Sequence, residues 1–300
     1  MTGGFLDQRA SLTGKVAVII GGGGGLGRAS TLDLARAGVH VVVCDRNEGA
    51  LADTAAEVAA LGASPVTATI DARDAEALSA FFTTLDDAHG RLDICVNVVG
   101  GTFLQSFADS NPRGWDAIIR TNFTAMLHAT HLAIPRMRRS GGGSIINFTS
   151  IEGHRAAPGY AVYAGMKAAV TNFGRTLAVE LAPEGIRVNT IAADQVPTEA
   201  IVAIRDEDWD DEVSAGAARI AIPMGTRGTL DDVGSCVLFL ASDLSRYVTG
   251  TTLHPDGGVI ASSGWFNWPG VGFRNSPPAS AVEAVLGPPP PRPSGSQGER

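Results

Sequence analysis

Tyr163 and Lys167 carry the two side chains in this sequence best suited to moving a proton. At i and i+4 on a helix, a phenol and an ammonium lie on the same face. A cation held beside a phenol favours the phenolate, so Lys167 is predicted to lower the pKa of Tyr163 from about 10 toward the working pH of an acid/base catalyst. This spacing occurs by chance on many helices, so the interpretation depends on the neighbouring residues.

Two further polar residues are predicted to lie near this pair. Ser150 follows an apolar run upstream of Tyr163, and in a parallel sheet the end of a strand and the start of the next helix meet at one edge. A serine, a tyrosine and a lysine can therefore converge there. Asn122 lies in the preceding helical stretch, where it is either an ordinary surface residue or the anchor of a water that links Lys167 to solvent.

A glycine-rich turn, Gly21–Gly27, stands between the apolar run Val16–Ile20 and a helical pattern. Glycines let backbone N–H groups approach a pyrophosphate without a Cβ in the way, and the helix N-terminus adds partial positive charge. A glycine run alone indicates only a flexible turn, but between a strand and a helix it predicts a dinucleotide site. The predicted contacts in this turn are Gly21, Gly25, Leu26 and Gly27.

The residues that follow the next strands predict the rest of the cofactor site. Asp45 comes about 20 residues after the glycines, where a carboxylate can accept both hydroxyls of an adenosine ribose and repel a 2′-phosphate. NAD is therefore predicted over NADP, although the adjacent Arg46 keeps NADP open and Asp45 can instead be a solvated strand-end residue. Asp71, with Ala72 beside it, can accept a hydrogen bond from the adenine amino group.

The fourth strand ends in Asn97, shortly before Gly100. Both are predicted to lie at the edge of the cofactor crevice. For Asn97 the alternative is a structural role, in which its amide holds neighbouring strand backbones together.

The elements that must position these residues alternate between two kinds. Short runs rich in valine and isoleucine predict strands at Val16–Ile20, Val39–Cys44, Val66–Ile70, Leu92–Val96, Ser144–Phe148, Ile186–Ile191 and Gly250–Leu253. Longer stretches with apolar residues three and four apart predict helices at Gly27–Ala37, Glu48–Leu61, Ala75–Ala88, Trp115–Arg139, Tyr163–Leu181 and Leu230–Ala241. Pro135 is expected to bend or end the fourth helix. The pattern predicts an α/β fold with a doubly wound parallel sheet of about seven strands and helices on both faces.

One domain is predicted over residues 12–262, after an N-terminal arm at 1–11. Residues 263–286 form an aromatic extension that must pack on this subunit, on a neighbour or over the substrate cleft, and 287–300 a proline-rich flexible tail. Residues 198–213 are predicted to be a lid over an apolar pocket or an amphipathic surface helix.

Composition excludes several classes of protein. A net charge of −8 and a pI near 5.2 oppose binding to nucleic acid. No apolar run approaches the ~20 residues of a membrane span, and the first residues lack a secretory pattern, so a cytoplasmic location is expected. Three widely spaced cysteines predict neither a disulfide framework nor a metal site.

Together these motifs resemble the short-chain dehydrogenase/reductase family, in its branch of about 250 residues. The resemblance runs from about Leu12 to Ala261 and includes Val188-Asn189 and Asp256-Gly257-Gly258. It implies a nicotinamide-dependent oxidoreductase, usually a homotetramer or else a dimer, with Tyr163 as general acid/base.

The resemblance also implies the roles of the other site residues. Lys167 binds the nicotinamide ribose and lowers the pKa of the tyrosine, Ser150 holds the substrate oxygen and Asn122 positions a relay water. Thr198 contacts the nicotinamide end of the cofactor.

The chain departs from the family pattern at three places. Ile20 replaces the usual threonine, Val98-Val99 interrupt the asparagine motif, and Ala193-Asp194 replace Pro-Gly. A carboxylate near the nicotinamide favours the cationic, oxidised ring by Coulomb attraction. Asp194 is therefore predicted either to favour alcohol oxidation or to point at solvent.

The predicted function is NAD(H)-dependent interconversion of a secondary alcohol and a ketone, on a bulky hydrophobic substrate such as a steroid or a 3-hydroxyacyl thioester. The alternatives are an NADP-dependent 3-oxoacyl reductase and an inactive nucleotide-sensing protein of the same fold. An epimerase or dehydratase acting on a nucleotide sugar generally needs a larger C-terminal domain than this chain offers. His154, Arg155 and Gln195 are polar candidates on the rim of the site, and each is expected to be structural.

Overall fold

A computed structural model describes residues 4–199, 201–202 and 211–286 of the chain. Seven parallel strands form one sheet in the order β3-β2-β1-β4-β5-β6-β7. They are β1 Val16–Ile20, β2 His40–Asp45, β3 Val66–Thr69, β4 Ile94–Asn97, β5 Gly143–Phe148, β6 Ile186–Ile191 and β7 Thr252–Leu253. The predicted doubly wound α/β fold is confirmed, and the order turns back between β1 and β4, where such sheets open a ligand crevice.

Helices cover both faces of this sheet. They are α1 Phe5–Ala10, α2 Gly25–Arg36, α3 Glu48–Ala60, α4 Ala75–His89, α5 Pro112–Ile119, α6 Ala125–Ser140, α7 Ala161–Leu181, α8 Glu212–Ala221, α9 Leu230–Ala241, α10 Val259–Ser262 and α11 Ala279–Leu286. Every residue of β1 is buried, with Val18 in the hydrophobic cluster on one face and Ile19 in the cluster on the other. Burial on both faces explains the continuous apolar runs, since each buried Val or Ile contributes about 1.5–3 kcal/mol.

The helix predicted at Trp115–Arg139 is interrupted. Between α5 and α6, residues Arg120–Thr124 form a π-helical segment that contains Asn122. Pro135 does not end α6, which continues to Ser140. The predicted early end at Pro135 is therefore wrong, and the interruption falls instead at a predicted site residue, as is common for π-helical segments.

The aromatic extension folds into an antiparallel hairpin of β8, Phe266–Trp268, and β9, Gly272–Arg274. Strand β8 packs against α8. The predicted lid lies partly outside the described residues, which omit Ala200 and 203–210, and the tail at 287–300 lies outside them entirely.

The described part of the chain lacks two features. None of its helices combines the length and apolar character needed to cross a bilayer. Nor do its histidine, cysteine and carboxylate side chains assemble into a cluster suited to a metal ion.

Candidate active site

Lys167 lies on α7 and is buried, with 3% of its surface exposed. Its Nζ donates a hydrogen bond to the carbonyl of Phe148, the last residue of β5, over 3.0 Å. The same Nζ lies 5.6 Å from the centre of the Tyr163 ring. Burial lowers the pKa of Lys167 to about 8, because the ammonium loses hydration. The i and i+4 spacing therefore places both side chains on one helical face, as predicted.

Ser150 and Tyr163 meet at the carboxyl edge of the sheet, where hydrogen bonding by Ser150 favours the phenolate of Tyr163. Ser150 Oγ also accepts a hydrogen bond from the Glu152 amide over 3.2 Å, which fixes the turn after β5. Burial raises the pKa of Tyr163, and the Ser150 hydrogen bond opposes this only in part. The predicted lowering of the Tyr163 pKa by Lys167 is thus wrong, because the loss of phenolate hydration on burial dominates the shift.

Asn122 is 1% exposed, so it is not a surface residue. Its Oδ1 accepts a hydrogen bond from the Gly101 amide at 3.1 Å, and its Nδ2 donates to the carbonyls of Gly101 and Ile118 at 2.7 and 2.9 Å. A Cβ added to Gly100 would lie 3.1 Å from both Asn122 Oδ1 and Lys167 Nζ. Asn122 Oδ1 and Lys167 Nζ therefore both lie against Gly100, where a Cβ would require them to move by a few tenths of an ångström.

The glycine turn is closed toward the sheet and open on its outer side. The Gly21 and Gly22 amides both donate to the Cys44 carbonyl, at 2.8 and 3.0 Å. A Cβ on Gly27 would lie 1.9 Å from the Gly21 oxygen, whereas a Cβ on Gly24 would meet no described atom within 4 Å. Close packing and an open outer face fit a pyrophosphate held by backbone N–H groups at the start of α2.

Asp45 lies against this turn. Its Oδ2 accepts a hydrogen bond from the Gly23 amide and its Oδ1 accepts one from the Asn47 amide, both at 3.0 Å. The carboxylate is therefore held at the rim where a ribose is expected to bind. Thr198 also lies beside the glycine turn, since a Cβ on Gly25 would come within 3.4 Å of the Thr198 side chain. Gly21, Gly25, Leu26 and Gly27 thus share one site with both residues.

Asp71 binds Arg73, whose Nε lies 2.9 Å from both carboxylate oxygens. The hydrogen bond from Arg73 lowers the pKa of Asp71, and the positive charge of Arg46 adds to this effect. Arg46 is thus close enough to act on Asp71 electrostatically. The neighbouring Ala72 is buried in the core.

Asn97 faces the interior of the sheet. Its Nδ2 donates hydrogen bonds to Asn147 Oδ1 at 2.7 Å and to Thr130 Oγ1 at 3.2 Å. These contacts join β4 to β5 and to α6, which is the structural role weighed for this residue.

The rim residues differ in what they contact. His154 and His254 stack edge to face with ring centres 4.9 Å apart, and His154 Nε2 lies 3.3 Å from Thr171 Oγ1. Gln195 has a backbone φ of 52°, a left-handed conformation that non-glycine residues seldom adopt. The strained position directly follows Asp194.

Asp194 does not point at solvent. Its side chain is 11% exposed, and its Oδ2 lies 3.6 Å from Nη2 of Arg155. Arg155 also pairs with Glu152, through Nη2–Oε1 at 2.9 Å and Nε–Oε2 at 3.3 Å. The solvent-exposed alternative for Asp194 is therefore wrong, because the loops after β5 and β6 fold against each other.

Sequence patterns missed two contributors to the site. The carbonyl of Phe148 binds Lys167 but belongs to the backbone, so residue type gives no signal for it. Thr149 Oγ1 donates to the Lys167 carbonyl over 2.7 Å and ties α7 to the end of β5. Its position beside Ser150 at a strand end is the signal that could have identified it.

Comparison with known proteins gives consistent matches over most of the chain. A family model described as enoyl-(acyl carrier protein) reductase matches residues 21–260. A 3-oxoacyl-(acyl-carrier-protein) reductase of Thermotoga maritima is 31% identical over 249 residues, which are 83% of this chain and 99% of the relative.

Two solved structures share the fold over similar lengths. Carveol dehydrogenase from Mycobacterium avium in complex with NAD has a TM-score of 0.78 at 32% identity, covering 84% of this chain and 99% of that chain. A 7α-hydroxysteroid dehydrogenase complexed with NADH and 7-oxo glycochenodeoxycholic acid has a TM-score of 0.78 at 29% identity, with coverages of 85% and 98%.

Proposed function

Because the chain belongs to the short-chain dehydrogenase/reductase family, whose members are oxidoreductases that act on CH–OH and keto groups, we propose that it uses NAD(H) to interconvert a secondary alcohol and its ketone. One observation carries the proposal. Ser150, Tyr163 and Lys167 converge at the edge of the sheet onto which the glycine turn also opens. A ligand that lies across this edge has its pyrophosphate on the turn and its reactive end beside the phenol.

The side chains divide the work of proton transfer. Nicotinamide, when bound, accepts or supplies the hydride. Ser150 donates a hydrogen bond to the substrate oxygen, and Tyr163 Oη takes the hydroxyl proton in oxidation and returns it in reduction. Lys167 binds the nicotinamide ribose and offsets negative charge on the phenolate. Asn122, adjacent to Lys167, holds the water that relays the proton to solvent.

Three observations support NAD over NADP. Asp45 is held at the rim by two backbone amides, where it repels a 2′-phosphate. Arg28, in the first turn of α2, pairs with Glu57, with Nε–Oε1 at 3.0 Å, and Arg73 pairs with Asp71. Both cations are thus already neutralised by the protein's own carboxylates.

The cofactor assignment is tested with Asp45→Ala, compared with Asp53→Ala on the exposed side of α3. The ratio of kcat/KM for NAD to that for NADP is expected to favour NAD in the wild type and to fall in the first variant alone. A wild-type preference for NADP would support the alternative function, an NADP-dependent 3-oxoacyl reductase, which the similarity to the Thermotoga maritima enzyme favours.

A bulky apolar substrate is proposed because several large apolar side chains near the site are exposed. Leu104 lies against Gly159 in the loop before α7, and Met224 follows α8, bonded through its amide to the Gly257 carbonyl. Trp265 is half-exposed at the start of the aromatic extension. The substrate is proposed to be a steroid or a 3-hydroxyacyl thioester. One similar protein is a hydroxysteroid dehydrogenase, and another is a 3-oxoacyl-(acyl-carrier-protein) reductase, whose named substrate is the ketone that corresponds to a 3-hydroxyacyl group.

The reaction is tested by incubating the protein with NAD⁺ and panels of steroids, acyl thioesters and small cyclic alcohols while following NADH absorbance. NADH accumulation with a secondary alcohol is the expected result. Binding of NAD⁺ without turnover of any panel member would instead favour a nucleotide-sensing role.

The same resemblance supports a homotetramer as the assembled form, which light scattering of the purified chain would test. Cys44, Cys95 and Cys236 are free thiols. A reducing compartment such as the cytoplasm is proposed as the location, because thiols stay reduced there.

A further inference from the structure

Three loops at the carboxyl edge of the sheet bring charged side chains together beside the catalytic hydroxyls. The loop after β5 carries Glu152 and Arg155, the loop after β6 carries Asp194, and the loop after β7 carries Asp256. Arg155 stands between them, paired with Glu152 at 2.9 Å and with Asp194 at 3.6 Å. The charge of Asp256 also acts on Arg155.

We propose that Arg155 is a positioning residue, which joins Glu152 and Asp194 and offsets their charge beside the Tyr163 hydroxyl. This role rests on the proposed function. This role goes beyond the structural one that was expected for Arg155, but Arg155 is not a catalytic residue. Arg155 acts through its two carboxylate partners and does not touch the reacting atoms.

Electrostatics gives the cluster its effect on the phenol. Both Glu152 and Asp194 raise the pKa of Tyr163, because a negative charge nearby disfavours a second one. Both carboxylates are mostly buried, so solvent screens them weakly. A cation bound to both reduces the field that they exert on the hydroxyl.

The groups that face Tyr163 come from each element packed around it. Tyr160 precedes α7, Lys167 lies one turn along it, and Glu152 and Asp194 come from the loops after β5 and β6. Arg155 supplies positive charge to the two carboxylates, whereas Lys167 lies over the Tyr163 ring. Loss of Arg155 would leave two acidic groups there without this counterion.

The departure from the family motif explains why this chain needs such a cation. Asp194 stands where the resemblance places the glycine of Pro-Gly, so the chain carries a carboxylate near the proton-transfer site. An ionised carboxylate with little exposure is costly unless it is paired. Arg155 lies within ion-pairing distance of it.

The test is a titration of tyrosine ionisation by ultraviolet absorbance, on the full chain and within the pH range where circular dichroism remains native. The sequence holds three tyrosines, so subtracting the Tyr163→Phe titration isolates Tyr163. Arg155→Gln is expected to move its midpoint upward, Asp194→Asn downward, and the double variant back toward the wild type. Arg155→Lys, which retains the charge, is expected to move it less than Arg155→Gln.

Arg138→Gln is the matched control, because Arg138 pairs with Glu184 on the exposed surface far from this edge. An unchanged midpoint in Arg155→Gln, or a shift equal to that of Arg138→Gln, would overturn the proposal. If Arg155→Gln fails to fold, Asp194→Asn still tests the proposal. A Tyr163 midpoint that stays constant or rises in Asp194→Asn would contradict the proposed effect of the Asp194 charge on the phenol.

Activity measurements separate this proposal from the proposed function. With an active substrate, Arg155→Gln is expected to shift the pH profile of kcat upward and to lower oxidation at neutral pH by about threefold or more. Shifted titrations in a protein without oxidoreductase activity would retain the role of Arg155 and remove the function. An active enzyme whose Tyr163 midpoint is the same in wild type and Arg155→Gln would retain the proposed function and remove the role of Arg155.

Discussion

Lys167 Nζ donates a hydrogen bond to the main-chain carbonyl of Phe148 across 3.0 Å. The contact fixes the ammonium of α7 at the end of β5, two residues before Ser150. It also commits a cation to the protein interior, where its charge is costly.

Lys167 is expected to make the protein more stable as the pH rises. Its pKa is about 8 in the folded protein and 10.5 when unperturbed, so the unfolded chain binds more protons between these values. The free energy of unfolding of the wild type should therefore increase from about pH 8 to 10.5 relative to Lys167→Met, by up to about 3 kcal/mol. Urea titrations at several pH values measure this difference. Parallel curves for the two proteins would contradict it.

Tyr163→Phe is expected to lose about 10²–10⁴-fold in kcat, because it removes the group that transfers the proton. Cofactor binding should persist, since the ring and Lys167 remain in place. Tyr247→Phe is the control, because Tyr247 is fully exposed. Steady-state kinetics and fluorescence titration with NADH measure the two effects, and comparable activity in both variants would exclude the assigned role.

Asn122→Ala is expected to destabilise the fold. The substitution removes three hydrogen bonds. It leaves the buried Ile118 carbonyl without this partner, at about 1–3 kcal/mol, and it removes two bonds to the exposed Gly101 backbone, at about 0.5–1.5 kcal/mol each. Asn172→Ala, at an exposed position of α7, is the matched control. Chemical denaturation should show a loss of at least about 2 kcal/mol for the first variant and little for the second. Equal stability of both variants would show that the hydrogen bonds of the Asn122 side chain contribute nothing to the free energy of unfolding.

Trp268→Ala is expected to raise KM for bulky alcohols and to leave KM for small cyclic alcohols unchanged. Trp268 lies in β8, which packs on α8. Ala218 of α8 belongs to the same buried hydrophobic cluster as Ile151, the residue after Ser150. The hairpin lies beyond residue 260, where the family match ends, so it is an addition to the shared domain. Phe273→Ala, on the more exposed strand, is the control. A uniform change in KM for all substrates would argue against a role in the cleft.

Strand positions were predictable because they depend on local composition. Residues 16–20 and 186–191 have the predicted bounds, since a strand buried on both faces needs a continuous apolar run. The sequence predicted one continuous helix over residues 115–139, and its interruption was not predictable. Its interruption at Arg120–Thr124 accompanies hydrogen bonds from Asn122 to Gly101, a contact between segments that no local pattern reports.

The sequence alone determined which chemical groups exist and at which strand ends they stand, because strand and helix periodicities follow from neighbouring residues. Glycines before α2, a serine after β5 and a Tyr/Lys pair on α7 were all identifiable in this way. The tertiary structure decided how each group behaves. The direction of the Tyr163 pKa and the pairing of Arg155 with Asp194 depend on burial and on distances between remote loops, and both arise only when the sheet brings its strand ends together.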